Sequence, residues 1–380
     1  MKLLRITADG LPLFREKVEL TFYARQRVSE DDRNALHKLF SNVYINPVNG
    51  LIGINASGKT SVLKLVLLVL DILNHEPINH LDTKGILGFD GKVCLNIWFY
   101  SENSNDICRL ETCIETQKVL SGEVRYVIRD ERLWTKVAST VSTRKNMLDF
   151  DGLQPVAVRD QNQEYLSDDV SIMIAYCKKT GETVNAVSLL HYTNINVLPF
   201  SSDIAPQVIN YLDPTVEYLH FEGNGQKKQI RLKFYDKNEI VLNDVVQLNN
   251  YLSSGTVKGM ITFTMASRVL KTGGYMLVDE IENHFNKEIV MTLIRLFTDC
   301  RLNKRGGSLI FSTHYPEILD EFDRNDCIYI TRNRGGITVD NLSVLLKRND
   351  IKKSDAYQSG FLEGTTPTYE AYIQLRKSFY

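Results

Sequence analysis

Four short segments of the chain carry side chains suited to phosphate chemistry. The first, Gly53–Thr60 (GINASGKT), has the spacing G-x-x-x-x-G-K-[ST] and lies between an apolar strand pattern and a long aliphatic helix pattern. In this order, glycines let backbone amides face phosphate oxygens, and the helix N-terminus adds its positive dipole. We predict that Lys59 reaches the β- and γ-phosphates of ATP and that Thr60 ligates Mg²⁺. The predicted nucleotide-binding residues are Gly53, Asn55, Ala56, Ser57, Gly58, Lys59, Thr60 and Ser61.

The second segment is the apolar run Tyr275–Val278, which ends in Asp279 and Glu280. Two adjacent acids at the end of a buried strand point to opposite sides at the carboxyl edge of the sheet. We predict that Asp279 holds Mg²⁺ through water and that Glu280 polarises the attacking water as a general base. The acids follow the glycine loop by about 220 residues, so a large insertion must separate the two motifs.

The third segment, SLIFSTH, is another buried-strand pattern and ends at His314. It follows the acid pair by about the length of one crossover helix, which places its strand in the same sheet. A histidine at this edge can hydrogen-bond the γ-phosphate, and we predict this catalytic role for His314. A structural histidine is the alternative.

The fourth segment, Leu252–Thr256 (LSSGT), begins a helix and supplies hydroxyl groups and a glycine at a second anion-binding helix N-terminus. Because the glycine loop already provides one such end, we predict that Ser254 and Gly255 bind the phosphate of a neighbouring subunit's nucleotide. The alternative is an ordinary helix cap, with Ser254 or Thr256 as the capping residue.

Composition limits the classes of protein that can carry these motifs. The 380 residues have a formal net charge of −1, so nucleic-acid binding requires a local basic patch. The six cysteines show no metal-like spacing, and we expect free thiols in a reducing compartment. The N-terminus lacks signal-peptide features, and the most apolar run is too short to cross a bilayer. We therefore expect a soluble, cytoplasmic protein without a membrane partner.

The elements that must position the motifs fall into four ranges of one domain. Residues 1–73 hold N-terminal strands, the glycine loop and its helix. Residues 74–211 are predicted to be a β-rich inserted region, with strands at KVCLNIWFY, ICRLETCIE and VRYVIRD. Residues 212–346 alternate strands and helices around the other three motifs, and residues 347–380 form a polar tail that ends in a helix pattern. This order predicts an α/β fold with a parallel core sheet.

In chain order, the four segments resemble the Walker A, signature, Walker B and switch-histidine motifs of ABC-type ATPases. The set is similar to the ATPase heads of structural-maintenance-of-chromosomes proteins, RecF and OLD-family proteins. It is most similar to bacterial ATPases of phage-defence and abortive-infection modules, and the matching motifs cover Gly53–Thr60 and Leu252–Leu319. The resemblance implies a P-loop NTPase of the ABC-ATPase type, with an antiparallel β-rich lobe and a helical signature subdomain.

The resemblance also implies a homodimer that sandwiches two ATP molecules, with higher oligomers left open. Each ATP would contact Lys59 and Thr60 of one subunit and Ser254 and Gly255 of the other, and Asn283 would lie in the segment that meets the partner. The signature reads SSGT where transporters have SGGQ. For the glutamine that senses Mg²⁺ in the family, Gln117 is a weak candidate.

Several ABC functions conflict with the sequence. The absence of heptads excludes a long-armed chromosome ATPase, and the 66 residues after His314 are too few for an OLD-type nuclease domain. We predict an ATPase that acts as sensor or regulator in a bacterial antiphage defence module and controls a separate effector, a nuclease or toxin. Two alternatives stay open: a RecF-like repair ATPase on duplex or gapped DNA, and an ATP-dependent scaffold that sequesters a toxin with little turnover.

DNA contact is left open as well. Three basic clusters are candidates for phosphate contacts, and each is equally compatible with a solvated charged face. They are Lys227–Lys228 with Arg231 and Lys233, Arg301–Arg305, and Lys347–Lys353.

Overall fold

The computed structural model describes residues 1–118, 123–141, 143–160, 165–192, 204–222, 229–283, 285–348, 351–362 and 369–379. The strands are β1 (Lys2–Asp9), β2 (Val18–Thr21), β3 (His37–Phe40), β4 (Val43–Ile45), β5 (Val48–Ile52), β6 (Lys92–Ser101), β7 (Asp106–Lys118), β8 (Val124–Val137), β9 (Ala157–Val158), β10 (Ala186–Ser188), β11 (Val216–Glu222), β12 (Gln229–Phe234), β13 (Ile240–Leu242), β14 (Tyr275–Val278), β15 (Ser308–Thr313), β16 (Ile328–Asn333) and β17 (Ile337–Asn341).

The α-helices are α1 (Lys59–Leu73), α2 (Arg144–Leu148), α3 (Met173–Thr180), α4 (Pro206–Leu212), α5 (Ser254–Thr272), α6 (Lys287–Thr298), α7 (Leu342–Leu345), α8 (Lys353–Gln358) and α9 (Tyr369–Lys377). Short 3-10 helices span Asp31–Asn34, Ile78–His80, Asp82–Leu87, Ala138–Thr140, Leu190–Tyr192, Val245–Asn250 and Pro316–Glu321. Helix α9 confirms the helix pattern near the C-terminus. No helix among these residues is both long enough and apolar enough to cross a bilayer.

A six-stranded sheet in the order β10-β14-β15-β5-β16-β17 forms the centre of the fold. Its first five strands run parallel, and β17 pairs antiparallel with β16. Strands β5, β14 and β15 are buried along their whole length, as expected for short apolar strands that are covered on both faces. The predicted α/β fold with a parallel core sheet is therefore confirmed.

The side chains of this sheet alternate between two hydrophobic cores. Leu51 and Ile310 face the core that contains helix α1, whereas Ile52 and Phe311 face the core that contains α5 and α6. Successive residues of a strand point to opposite faces, so each strand contributes to both cores. Helix α1 is apolar on nearly every side, which is typical of a helix buried between layers.

A second six-stranded sheet, in the order β2-β1-β6-β7-β8-β9, packs on the side of α1 and is antiparallel throughout. Strands β6, β7 and β8 confirm the three strands that the sequence predicts between residues 92 and 130. The sheet combines the N-terminal strands with the strands of the following range. The division of the chain into four ranges remains a prediction.

The structure corrects the prediction that all six cysteines are free thiols. Cys94 and Cys113 form a disulfide, and their Cα atoms are 4.2 Å apart. The two residues face each other directly across the antiparallel pair of β6 and β7. Opposed residues of such a pair come close enough to bond, and only the register of the strands reveals that these two are opposed. The remaining cysteines are free, and of these Cys300 alone is exposed.

The region before the signature segment (Leu252–Thr256) combines short strands with one short helix, and the helical signature subdomain that the family resemblance implies stays a prediction. Among residues 204–222 and 229–253, the structure places the short helix α4 and an antiparallel sheet in the order β11-β12-β13. In β12, the buried residues Ile230 and Leu232 alternate with less buried basic residues, which is a strand pattern. A long helix begins only at the signature segment itself, as α5.

Candidate functional site

The glycine loop joins β5 to α1 in a conformation that requires glycine. Gly58 has φ 100°, a left-handed conformation, and stands directly before the first residue of α1. A Cβ at Gly58 would run into the side chain of Ile337 in β17. No side chain caps the start of α1. The first amide groups of this helix are therefore available to an anion.

The strand β16 supports the glycine loop from the side. Ser57 Oγ and Thr331 Oγ1 are 2.7 Å apart, and Asn333 Nδ2 donates to the carbonyl of Ala56 at 3.1 Å. A Cβ at Gly53 would overlap both hydroxyl groups. The shape of the loop thus depends on a strand more than 270 residues later in the chain. Thr331 and Asn333 were not predicted from the sequence, because neither belongs to a recognisable motif.

Lys59 is buried in the glycine loop, with 6% of its surface exposed. Its Nζ donates to the carbonyls of Gly53 at 2.9 Å and Ile54 at 3.2 Å, and it lies 3.3 Å from His314 Nδ1. Burial lowers the pKa of Lys59, and three nearby carboxylates act in the opposite direction. The structure therefore places the predicted cation and the predicted histidine in direct contact.

The parallel pairing of β14 with β15 brings the acid pair to the same edge. Val278 is the Cα partner of Phe311, so the residues that follow them, Asp279 and Ser312, are neighbours. Ser312 Oγ donates to an Asp279 carboxylate oxygen and accepts from the backbone N–H of Glu280 at 2.7 Å. Glu280 has φ 47°, a conformation that costs free energy in a non-glycine residue. The fully buried Ser312 therefore fixes both acids, and the sequence analysis did not single it out.

The acid pair meets the start of α1 through one hydrogen bond. Thr60 Oγ1 donates to Asp279 Oδ2 at 2.7 Å. The Thr60 hydroxyl and the Asp279 carboxylate offer the hard oxygen atoms that Mg²⁺ prefers. Thr60 would ligate the ion directly, and Asp279 would hold it through water. Among the described residues, no group of three or more acids, histidines or cysteines could hold a metal ion. Mg²⁺ commonly takes its other ligands from phosphates and water.

The loop after β15 is held by a buried acid that the sequence analysis also missed. The backbone N–H of His314 donates to Glu282 Oε1 at 2.6 Å. Glu282 is 9% exposed, and its Oε2 has no hydrogen-bond partner among the described residues. His314 Nε2 lies 3.6 Å from Glu280 Oε1. Glu282 therefore positions His314 beside Glu280. In the sequence, Glu282 is marked only by being the third acid of the segment DEIE.

These residues enclose a cavity of about 320 Å³. The end of the glycine loop, Glu280 and His314 line it. Gly53 and Asp279 are not among the described lining residues, but Gly53 accepts a hydrogen bond from Lys59 and Asp279 accepts one from Thr60. The lining residues are Leu13, Asn55, Ala56, Ser57, Gly58, Lys59, Thr60, Ser61, Glu280, His314, Asn333 and Ile337. We refer to it as the nucleotide cavity.

Glu280 also lines a smaller cavity of about 40 Å³, together with Asp279, Asn283 and Lys258 of helix α5. A water molecule needs roughly 10–15 Å³ of such space. Burial lowers the pKa of Lys258, and the charge of Glu280 raises it. Glu280 therefore contributes to the lining of both cavities.

The signature segment does not reach the nucleotide cavity of its own chain. Ser254 and Gly255 are partly exposed at the start of α5, and neither is among the described residues that line the cavity. The helix cap is Ser253, whose Oγ accepts from the backbone N–H of Thr256 at 3.0 Å. This corrects the alternative in which Ser254 or Thr256 is the capping residue.

Two further predicted residues lie outside the nucleotide cavity. Gln117 belongs to β7, opposite Arg125 of β8, and is absent from the described lining. It therefore does not serve as the Mg²⁺-sensing glutamine in this conformation. Asn283 lies just after the acid pair, where its backbone N–H donates to the carbonyl of Glu280 at 2.8 Å, and it faces the smaller cavity.

Some basic residues of the predicted clusters are paired with acids, whereas Lys304, Arg305 and Lys347 form no ion pair with a described residue. Lys353 is buried, and Lys227 and Lys228 lie outside the described residues. Paired surface charges leave little positive potential for a phosphate backbone. The ion pairs are Arg231–Glu222, Arg231–Glu239, Lys233–Glu217, Arg301–Asp299 and Lys352–Asp355.

Comparison with known families adds one match. Residues 196–320 match a family model described as an AAA domain, putative AbiEii toxin, Type IV TA system. The match spans about a third of the chain and includes the signature segment, the acid pair and His314, but not the glycine loop. No curated protein matches the chain. Over this range the chain is similar to that family, and together with the glycine loop this supports a P-loop ATPase of the AAA/ABC type.

Proposed function

We propose that this protein is an ATPase that binds ATP with Mg²⁺ in the nucleotide cavity and hydrolyses it with Glu280 as the general base. The hydrogen bond between Thr60 and Asp279 carries this proposal, because it joins two motifs that are 219 residues apart. A glycine turn or an acidic strand end alone is compatible with a purely structural role. Their meeting at one cavity is what an ATP–Mg²⁺ site requires.

The chain's own residues account for binding and for proton transfer. The amide groups at the start of α1 and the Lys59 ammonium stabilise the phosphate charge, which grows on the oxygens as the γ-phosphoryl group is transferred. Thr60 and Asp279 would hold Mg²⁺, which supplies further charge stabilisation at the β- and γ-oxygens. Glu280 accepts the proton of the attacking water, and His314 contacts both Lys59 and Glu280.

We also propose that two copies of the chain close around two ATP molecules. Ser254 and Gly255 are partly exposed and lie away from the nucleotide cavity of their own chain. In a twofold dimer each surface meets its counterpart reciprocally, so each signature segment would bind the ATP of the other subunit. Hydrolysis would then reopen the dimer.

The proposed output of this cycle is the control of a separate effector, a nuclease or toxin, in an antiphage defence module. The family description supports a toxin–antitoxin or abortive-infection setting, and this step rests on that likeness. The position of Glu280 beside His314 at the nucleotide cavity favours turnover over an ATP-held scaffold. The ion pairs of Arg231, Lys233 and Arg301 make a DNA-repair ATPase the weaker alternative.

The experiment compares ATP hydrolysis by the wild type, Glu280→Gln and the control Glu288→Gln, in which an exposed acid of α6 is changed. We expect Glu280→Gln to bind ATP and to lose about 100- to 10,000-fold in kcat, the usual contribution of general-base catalysis. Glu288→Gln should hydrolyse ATP like the wild type. If Glu280→Gln also does so, the assignment of the base is wrong.

The effector proposal needs a separate measurement. We expect the protein to co-purify stoichiometrically with the product of a neighbouring gene, with ATP turnover that duplex or gapped DNA does not change. Turnover that DNA stimulates, without any bound partner, would favour the DNA-repair alternative instead.

A further inference from the structure

A second cavity, of about 500 Å³, lies on the β16–β17 hairpin, and three of its seven described lining residues are arginines. We refer to it as the arginine cavity. Arg15, Arg332 and Arg334 line it together with Thr338, Phe361 and Leu362. None of its residues also lines the nucleotide cavity within the described part of the chain. The positive charge of the arginine cavity is therefore not part of the proposed ATP site.

The two cavities lie on opposite faces of one strand. In β16, Thr331 and Asn333 face the glycine loop. The Thr331 hydroxyl is hydrogen-bonded to the Ser57 hydroxyl, and the Asn333 amide donates to the carbonyl of Ala56. Side chains alternate along a strand, so Arg332 faces the other way. Arg334 lies in the turn just after β16 and lines the same cavity as Arg332. A ligand of the arginine cavity would thus touch the reverse side of the hairpin that supports the glycine loop.

Arg15 reaches the arginine cavity because its segment extends the sheet beyond β17. Its backbone N–H donates to the carbonyl of Ile337 at 3.0 Å, and the N–H of Ile337 donates to the carbonyl of Leu13 at 2.8 Å. Gly336 has φ 124°, and a Cβ there would lie 2.9 Å from the Cβ of Arg15. The glycine turn therefore lets two distant segments place their arginines side by side.

The positive charge of the arginine cavity is only partly compensated. Arg332 is fixed by an ion pair with Asp340 and by donation to the carbonyl of Leu362 at 2.6 Å. Arg15 and Arg334 are exposed and form no ion pair with any described residue. Two arginines without an ion pair at one cavity make the arginine cavity a candidate site for an anionic ligand.

The lining chemistry narrows the class of anion. Guanidinium groups present planar pairs of donors that match phosphate oxygens, and the Thr338 hydroxyl adds a further polar group. Phe361 is 66% exposed at the same cavity, and an exposed aromatic ring beside cations is suited to stacking on a base. We propose that the arginine cavity binds a phosphate-bearing nucleotide, either free or within a nucleic-acid strand, separately from the ATP at the glycine loop.

The test uses the full chain with the nucleotide cavity saturated by a non-hydrolysable ATP analogue. Binding of a fluorescein-labelled dT12 strand and of a labelled dinucleotide is measured by anisotropy. We expect the double variant Arg15→Glu/Arg334→Glu to weaken binding at least about 10-fold, and Arg15→Gln/Arg334→Gln to weaken it less. The salt dependence should also fall, with the slope of log affinity against log salt reduced by about 1. The control Arg301→Glu changes an exposed arginine of another surface and should bind like the wild type.

Each outcome bears on the proposal. Tighter binding of the strand identifies nucleic acid as the source of the nucleotide, and equal binding of the dinucleotide identifies a free nucleotide; both support the site. Binding that the glutamate and glutamine variants leave unchanged, or the absence of any binding by the wild type, overturns it. A ten-residue polyglutamate peptide that binds as tightly and responds to the same variants also overturns it, because the cavity would then be a docking surface for acidic proteins.

One further variant separates this site from the proposed ATPase. Lys59→Ala should retain binding of the labelled strand or dinucleotide, since Lys59 does not line the arginine cavity. Loss of binding in Lys59→Ala would place the labelled ligand at the glycine loop and reject the second site. The inference does not depend on hydrolysis, so a protein that fails to turn over ATP can still pass or fail this test.

Discussion

Helices α1 and α5 both begin at segments rich in glycine and hydroxyl groups, but their N-termini are built differently. The start of α1 has no side-chain cap and is surrounded by Lys59, the acid pair and His314 from the same chain. The start of α5 is capped by Ser253, and the partly exposed Ser254 and Gly255 are not among the described residues that line the nucleotide cavity.

The two helix starts differ in how much of the proposed ATP site one chain supplies. At the start of α1, one chain brings together a cation, the proposed Mg²⁺ ligands and the proposed general base. At the start of α5, Ser254 and Gly255 are not among the described residues that line the nucleotide cavity. A helix N-terminus binds an anion weakly unless other groups converge on it, so the comparison favours a composite site between subunits.

The largest effect is expected at α1, from Lys59→Ala. The variant removes the buried cation that faces the β- and γ-phosphates, and ATP affinity should fall at least about 100-fold, or ~2.8 kcal/mol. Isothermal titration with ATP measures the change. The matched control is Lys64→Ala, which removes an exposed lysine from the same helix and should leave affinity unchanged. Unchanged ATP affinity in Lys59→Ala would contradict the role of α1.

At α5, Ser254→Arg should prevent ATP-driven dimer closure while each subunit still binds ATP. The substitution places a bulky, charged side chain at both sites of a twofold interface. Light scattering with the non-hydrolysable ATP analogue measures closure. Ser139→Arg, at an exposed serine after the antiparallel strand β8, serves as the control. Normal closure of Ser254→Arg would remove α5 from the composite site.

A smaller effect is expected from Glu282, which positions the histidine within the α1 site. Glu282→Ala leaves the backbone N–H of His314 without its acceptor, at a cost of about 1–3 kcal/mol, and kcat should fall about 10-fold with little change in ATP affinity. Glu282→Gln retains an acceptor oxygen and should recover most of the rate. Equal loss in both variants would instead indicate that the negative charge of Glu282 matters.

The smallest effect is expected from Ser253→Ala, which removes the cap of α5. Urea unfolding should show a loss of about 1 kcal/mol, the usual contribution of a serine cap. Ser253→Asp retains an acceptor for the N–H of Thr256 and should restore the stability. A Ser253→Ala variant that is as stable as the wild type would show that the end of α5 is not held by this cap.

Local patterns were sufficient to find the elements of the α1 site. The glycine loop, the apolar strands β14 and β15 and the aliphatic helix α1 each carry a period or spacing that does not depend on the rest of the chain. Local patterns are less informative before α5, because the amphipathic strands β11 to β13 are short and their alternation is clear only when their buried face is known.

The sequence by itself determined that a phosphate-binding loop and an acidic strand end exist, since both are written in contiguous residues. Tertiary structure decided which residues support them. Ser312 reaches the acid pair because β14 and β15 pair in one particular register, and Thr331 reaches Ser57 because β16 lies beside β5. The Cys94–Cys113 disulfide and the arginine cavity arise in the same way. Contacts between distant segments depend on register and layer order, which local spacing does not encode.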